Sequence, residues 1–128
     1  MITPEALARS GSEDGHQAAL FCWCAIHAKE HPELKWLFAI PNGGWRDPAT
    51  ANKLKATGVK SGVLDICLPI KRGIYSGLFV ELKRGKNKPT NEQKEWIDFL
   101  PTQGFGVVVC YSWEIARDII ISYLEHRE

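Results

Sequence analysis

Two apolar segments, GVLDICLP and GLFVELKR, joined by IKRGIYS, constrain this chain more than any other feature. Each is short, rich in branched apolar residues and bounded by turn-forming residues, the pattern of a strand pair. Yet each carries charge in its middle: Asp65 in the first, Glu81 and Lys83 in the second. Residues two apart in an extended chain point to the same face. Glu81 and Lys83 therefore share a face, and Asp65 joins them if the segments pair. Two carboxylates and one lysine converging in a sheet are unfavourable unless a divalent cation and a phosphate neutralise them. The pattern points to metal-dependent hydrolysis of a phosphodiester.

The remaining chain sets the frame. Its 128 residues match the size of one domain, so 1–128 is read as a single unit, and 45% hydrophobic with 24% charged residues suits a soluble globular core. No run of 18 apolar residues suggests a membrane span, and the opening MITPEALARSGSEDGHQ lacks a basic region followed by an apolar stretch. The cysteines Cys22, Cys24, Cys67 and Cys110 have no zinc-ligand spacing, which leaves buried thiols in a reducing cytoplasm as the expectation. A net charge of +1 excludes a protein that coats nucleic acid by bulk attraction. Positive charge is local instead: Lys71 and Arg72 in the hairpin turn, then Lys83, Arg84, Lys86 and Lys88. Such runs are either solvated loops or a phosphate-contacting rim beside the carboxylates.

The element order follows from caps and periodicity. Residues 1–10 read as a loose terminus or a short helix. Ser12 caps a helix through EDGHQAALFCWCAIHAKE, weakened by Gly15 and apolar on several sides, hence deeply buried or covered by a partner chain. WLFAIPN is a short strand stopped by Pro41, and NGG is a turn. Asp47 and Pro48 open the helix ATANKLKAT, closed by Gly58. The hairpin follows. Thr90 opens a helix through NEQKEWIDFL. FGVVVCY, apolar throughout, reads as a central strand. Ser112 caps a last helix whose Ile115, Ile119, Ile120, Tyr123 and Leu124 form one apolar face. The unit from GLFVELK to FGVVVCY predicts a parallel crossover, and the whole predicts an α/β fold, a mixed sheet flanked by helices.

LFAIPNGG, LKATGVKSGVLDICLP, GLFVELKRG and NEQKEW, taken together, resemble the VRR-NUC family of virus-type replication-repair nucleases, within the PD-(D/E)XK nuclease superfamily. The resemblance runs from about Glu13 to Leu124. An isolated E-x-K is weak; an aspartate in one strand, E-x-K on the next, a glutamine on the following helix and PNGG upstream are specific as a set. The chain departs from the superfamily pattern where Leu64 replaces the proline before Asp65. The resemblance implies a PD-(D/E)XK nuclease-like sheet and an Mg²⁺- or Mn²⁺-dependent DNA endonuclease leaving 5′-phosphate. By position, Asp65 and Glu81 would bind the metal with the Leu82 carbonyl, Lys83 would orient and help deprotonate the attacking water and offset charge on the phosphate, and Gln93 matches the glutamine after the E-x-K strand. Glu13 matches the glutamate of the first helix and would support a second metal. Asn42, Trp45, Arg46, Lys60, Arg84, Lys86 and Lys88 are the candidate DNA contacts.

Some of these residues carry two readings. Thr90-x-x-Gln93 is a capping box, yet Gln93 shares a helix face with Trp96, Ile97 and Leu100. Glu13 is either a first-turn acid favoured by the helix dipole or a site residue. Asn42 supplies turn chemistry or lies at the site, and Trp45 is the tryptophan best placed to touch DNA. His16 and His27 read as ordinary helical histidines. Stand-alone members of this length resemble phage and bacterial junction-resolving enzymes, which implies an intracellular homodimer acting on branched DNA, the Holliday junction above all. The alternatives are a flap or single-strand nuclease and a non-catalytic DNA-binding or assembly module.

Overall fold

A computed structural model describes residues 1–41 and 46–126. Helix α1, Pro4–Ala8, precedes α2, Glu13–Ile26; a 3-10 turn at Pro32–Trp36 leads to β1, Phe38–Ala39. Then come α3, Pro48–Ala56; β2, Ile66–Leu68; β3, Leu78–Leu82; α4, Asn91–Phe99; β4, Gly106–Cys110; and α5, Trp113–Glu125. The sheet order is β1-β2-β3-β4, antiparallel except for the parallel β3–β4 pair. The expected crossover through α4 is therefore present.

Sequence caps start the longer helices. The side chains of Ser12, Asp47, Thr90 and Ser112 accept from the backbone N–H groups of Gly15, Thr50, Gln93 and Ile115, satisfying donors that no helical carbonyl can reach. Helix α2 stops at Ile26, a turn earlier than its sequence suggested, where His27 leaves helical geometry and stacks on Trp23.

Alternation along β3 divides the molecule. Leu78, Val80 and Leu82 point into a core completed by Leu20, Trp113, Ala116, Ile120 and Leu124. Phe79, Glu81 and Lys83 take the opposite face, where Phe79 meets the Phe105 ring edge-on.

Three expectations change. FGVVVCY is an edge strand, bonded among the described residues only to β3 in the sheet; its valines are partly buried, with Val107 and Val108 lining an open groove, so an apolar run says nothing about in-plane neighbours. Helix α2 is buried on one side rather than all round: α1 and α5 pack on it and Ala19, Leu20 and Cys24 are buried, while Ile26 is 55% exposed. On α5 the core-facing stripe is Trp113, Ala116, Ile120 and Leu124, while Ile115 is 51% exposed and borders a groove beside β4 with Ile119 and Tyr123.

Residues far apart in sequence close the fold. Arg72 donates to the Leu124 carbonyl at the end of α5 (2.9 Å) and pairs with Glu33 (2.7 Å). It therefore sits at the turn end of the hairpin, opposite Asp65, and with Lys71 does not form a rim beside the carboxylates. The cysteines are free, and burial pushes Cys24 up to about 12 and Cys110 to about 11, so both remain thiols. Among the described residues no helix is long and apolar enough to cross a membrane.

His16 is more than an ordinary helical histidine. Its Nδ1 accepts the Trp113 N–H at 3.0 Å, tying α2 to the start of α5, and burial lowers its pKa. The folded protein thus holds His16 neutral where the unfolded chain, with a histidine pKa near 6.5, takes up a proton. This contribution is complete above pH about 6.5 and is lost as pH falls from there toward the lowered folded value. His16→Asn, which keeps an acceptor, is expected to show a smaller loss of stability between pH 7.5 and 5.5 than wild type in urea titrations.

Candidate active site

The β2–β3 ladder ends at the Ile66–Val80 pair. Continuing the register by one residue sets Asp65 opposite Glu81, on one face, as expected, although Asp65 itself lies just before the strand. Here side chains replace the ladder. The Asp65 N–H donates to Glu81 Oε1 at 3.1 Å, and the Leu82 N–H donates to Asp65 Oδ2 at 3.1 Å. On the other side the Asp65 carbonyl still accepts from the Ile40 N–H at 2.7 Å, so β1 holds the segment in place. The two strands are thus bridged by a reciprocal pair of carboxylate–amide bonds.

Glu81 is 1% exposed and Lys83 7% exposed. Lys83 Nζ lies 3.5 Å from Glu81 Oε2, and Gln93 Nε2 donates to the same oxygen at 2.8 Å. Both readings of Gln93 hold at once. Its Oε1 accepts the Thr90 N–H at 2.8 Å and closes the capping box, while its amide nitrogen faces Glu81. The cap fixes the rotamer that reaches the carboxylate.

Electrostatics shows what the site can attract. Burial is the main cause raising both carboxyl pKa values, and the Asp65 charge adds to the rise at Glu81, up to about 7; Lys83 and the backbone donor to each carboxylate work against it. Two carboxyl groups face one ammonium, so ionising both would leave excess negative charge in a poorly hydrated place. The donor set is hard oxygen. A strand residue's N–H and C=O lie on the same side, so the Leu82 carbonyl faces the side where its N–H meets Asp65. Asp65, Glu81 and the Leu82 carbonyl fit Mg²⁺ or Mn²⁺ in charge and in ligand type.

Glu13 stands further out. Its carboxylate accepts from Asn87 Nδ2 at 3.1 Å, and its charge is felt at Asp65 as a repulsion. Among the described residues no three His, Cys, Asp or Glu side chains form a metal-holding group, so Glu13 does not join the carboxylate pair directly. Asn87 escaped notice in the sequence because it sits inside a lysine-rich turn. The Tyr111 hydroxyl donates to its carbonyl at 3.0 Å, the only hint being the tyrosine that follows β4.

The expected DNA contacts divide. Lys60, Lys86 and Lys88 are exposed. Arg84 is drawn into the fold, donating to the Gly11 carbonyl at 3.0 Å and to the Tyr111 carbonyl. Arg46 NH2 reaches the Pro41 carbonyl at 3.4 Å. Asn42 and Trp45 lie outside the described residues.

A sheet whose ladder opens onto two carboxylates and a lysine defines an α/β protein of nuclease type. The VRR-NUC domain model matches residues 12–114, and the chain belongs to the VRR-NUC family. A solved structure described as a VRR_NUC domain protein is similar to it, with a TM-score of 0.75 and 29% identity over 91% of this chain and 90% of the other. No curated protein matches the sequence.

Gly62 holds the approach to the site. It adopts φ +84°, and a Cβ there would stand 2.6 Å from Glu92 and 2.8 Å from the Gln93 nitrogen. The loop before Asp65 thus rests directly on the first turn of α4. Gly62→Ala combines left-handed strain with a backbone clash and is expected to cost about 1–3 kcal/mol in chemical denaturation. It should also lower nuclease activity more than its stability loss explains, because Gln93 moves away from Glu81.

Proposed function

We propose that this protein is a metal-dependent, structure-specific DNA endonuclease that resolves Holliday junctions. The observation that carries the proposal is the convergence of Asp65, Glu81 and Lys83 on one face, with Glu81 and Lys83 3.5 Å apart. Asp65 and Glu81, with the Leu82 carbonyl, would hold Mg²⁺ or Mn²⁺. The bound cation would polarise the scissile phosphate and make a water acidic enough to attack. Lys83 orients that water, helps to deprotonate it, and offsets charge growing on the phosphate. Gln93 keeps Glu81 in its ligand orientation, and Glu13, held by Asn87, supports the outer side of the site. Products carry 5′-phosphate.

Lys60, Lys86 and Lys88 supply exposed positive charge for the DNA backbone, with Arg46 and the neighbouring Asn42 and Trp45. A junction exceeds what one small domain can grip, so we propose a homodimer with one site per strand. The apolar surface left on α2, with Ile26 exposed, is one candidate for the interface, and the open edge of β4 with the groove beside Ile115 and Ile119 is another. A bacterial or phage-encoded protein working in the cytoplasm suits these assignments. A flap or single-strand nuclease would use the same residues, and a non-catalytic module would need none of them.

Lys83→Ala is expected to retain its circular dichroism spectrum and lose about 10²-fold or more of its cleavage rate. Wild-type turnover by that variant would sink the mechanism. Asp65→Asn and Glu81→Gln should each weaken Mn²⁺ binding in calorimetry while DNA binding persists; unchanged affinity in both would remove them as ligands. Light scattering should give a dimer, and cleavage of four-way junction should exceed that of matched duplex, flap and single-stranded DNA. A monomer that cuts linear duplex as readily would leave only the general nuclease reading.

A further inference from the structure

A second feature lies beside the catalytic cluster. Lys60, Ser61, Glu95, Trp96 and Phe99 line a groove between the loop leading to Asp65 and the outer face of α4. Both walls are continuous with the site: Ser61 precedes the Gly62 contact with Gln93, and Trp96 lies one turn beyond Gln93 on the same helix. The Trp96 indole N–H donates to the Ser61 carbonyl at 3.3 Å and fixes that ring. The Phe99 ring stands edge-on to it, centroids 6.4 Å apart, and Phe99 is 52% exposed.

We propose that this groove receives one unpaired nucleobase of the DNA substrate, stacked on Phe99, with its phosphate toward Lys60. The inference rests on the DNA-nuclease reading and adds the part of the substrate that the enzyme recognises. An exposed aromatic ring held upright by an immobilised neighbour offers a π-face to any base. Charge orients the nucleotide: Lys60 attracts the backbone, and Glu95 on the opposite wall repels it while offering an acceptor to base amino groups. A continuous duplex does not present a free base face. A branch point or a displaced strand does. Along α4, at 1.5 Å per residue, Phe99 lies about 9 Å beyond Gln93.

The test compares wild type, Phe99→Ala and Phe99→Tyr by fluorescence anisotropy in EDTA. One labelled oligonucleotide carries two unpaired thymines at a branch, and its control carries abasic sites there. Phe99→Ala is expected to bind the thymine substrate about tenfold more weakly, Phe99→Tyr as wild type does, and all three should bind the abasic control alike. Equal affinity of wild type and Phe99→Ala for the thymine substrate overturns the inference, as does an equal loss on the abasic control. Loss of a dimer in Phe99→Ala at unchanged DNA affinity also overturns it and assigns the groove to a second copy. Wild-type cleavage of junction, flap, duplex and single-stranded DNA with Mg²⁺ separates the two readings. Without any cleavage the nuclease reading fails. With cleavage and an unmoved Phe99→Ala affinity, only the stacking site fails.

Discussion

The exchange of carboxylate–amide bonds between Asp65 and the Glu81–Leu82 segment is the interaction on which the site depends. Without these bonds the two N–H donors would need other partners, and the two carboxylates would stand as adjacent, buried, repelling charges. Instead each carboxylate accepts one N–H from the opposite strand. The strands part at this point without leaving these donors unpaired, and the acidic oxygens remain at the opening. The cost of burying them stays high, as the raised carboxyl pKa values record. A site built this way has a standing affinity for positive charge.

The surrounding structure serves to hold that opening still. Gln93 joins the capping box of α4 to Glu81, so the helix start and the acid cannot move independently. Gly62 permits close contact between the loop and that helix turn. Lys83 reaches Glu81 from the same face, while its backbone N–H still bonds the Cys110 carbonyl across β4 at 2.9 Å. On the opposite face, Val80 and Leu82 anchor the same strand in the apolar core. One strand therefore carries both the core and the chemistry, and strand alternation keeps them apart.

Much of this was legible in the residues. Caps at Ser12, Asp47, Thr90 and Ser112 marked helix starts because side-chain acceptors next to the first turn act locally. Glu81 and Lys83 shared a face for a reason that needs only the pleat. FGVVVCY misled because an apolar run records contact on the faces of a strand and carries no mark of its in-plane neighbours. The face of α5 was misread at Ile115 because a tertiary groove leaves that side open. The apolar surface of α2 left burial and a partner chain both open, because residues 1–10 read as a loose terminus or a short helix and gave little sign that α1 packs there. Gln93 carried two readings that the folded chain turns out to combine.

The sequence by itself determined the elements, the caps and the three charged residues of the site, since all depend on neighbours within a few positions. The tertiary structure decided which backbone groups each carboxylate would accept, that Glu13 would meet Asn87, and that Arg84 and Arg72 would tie the body together. It also opened the groove at Phe99. Such contacts join residues tens of positions apart, and their geometry is set by how helices settle on the sheet rather than by any local pattern in the chain.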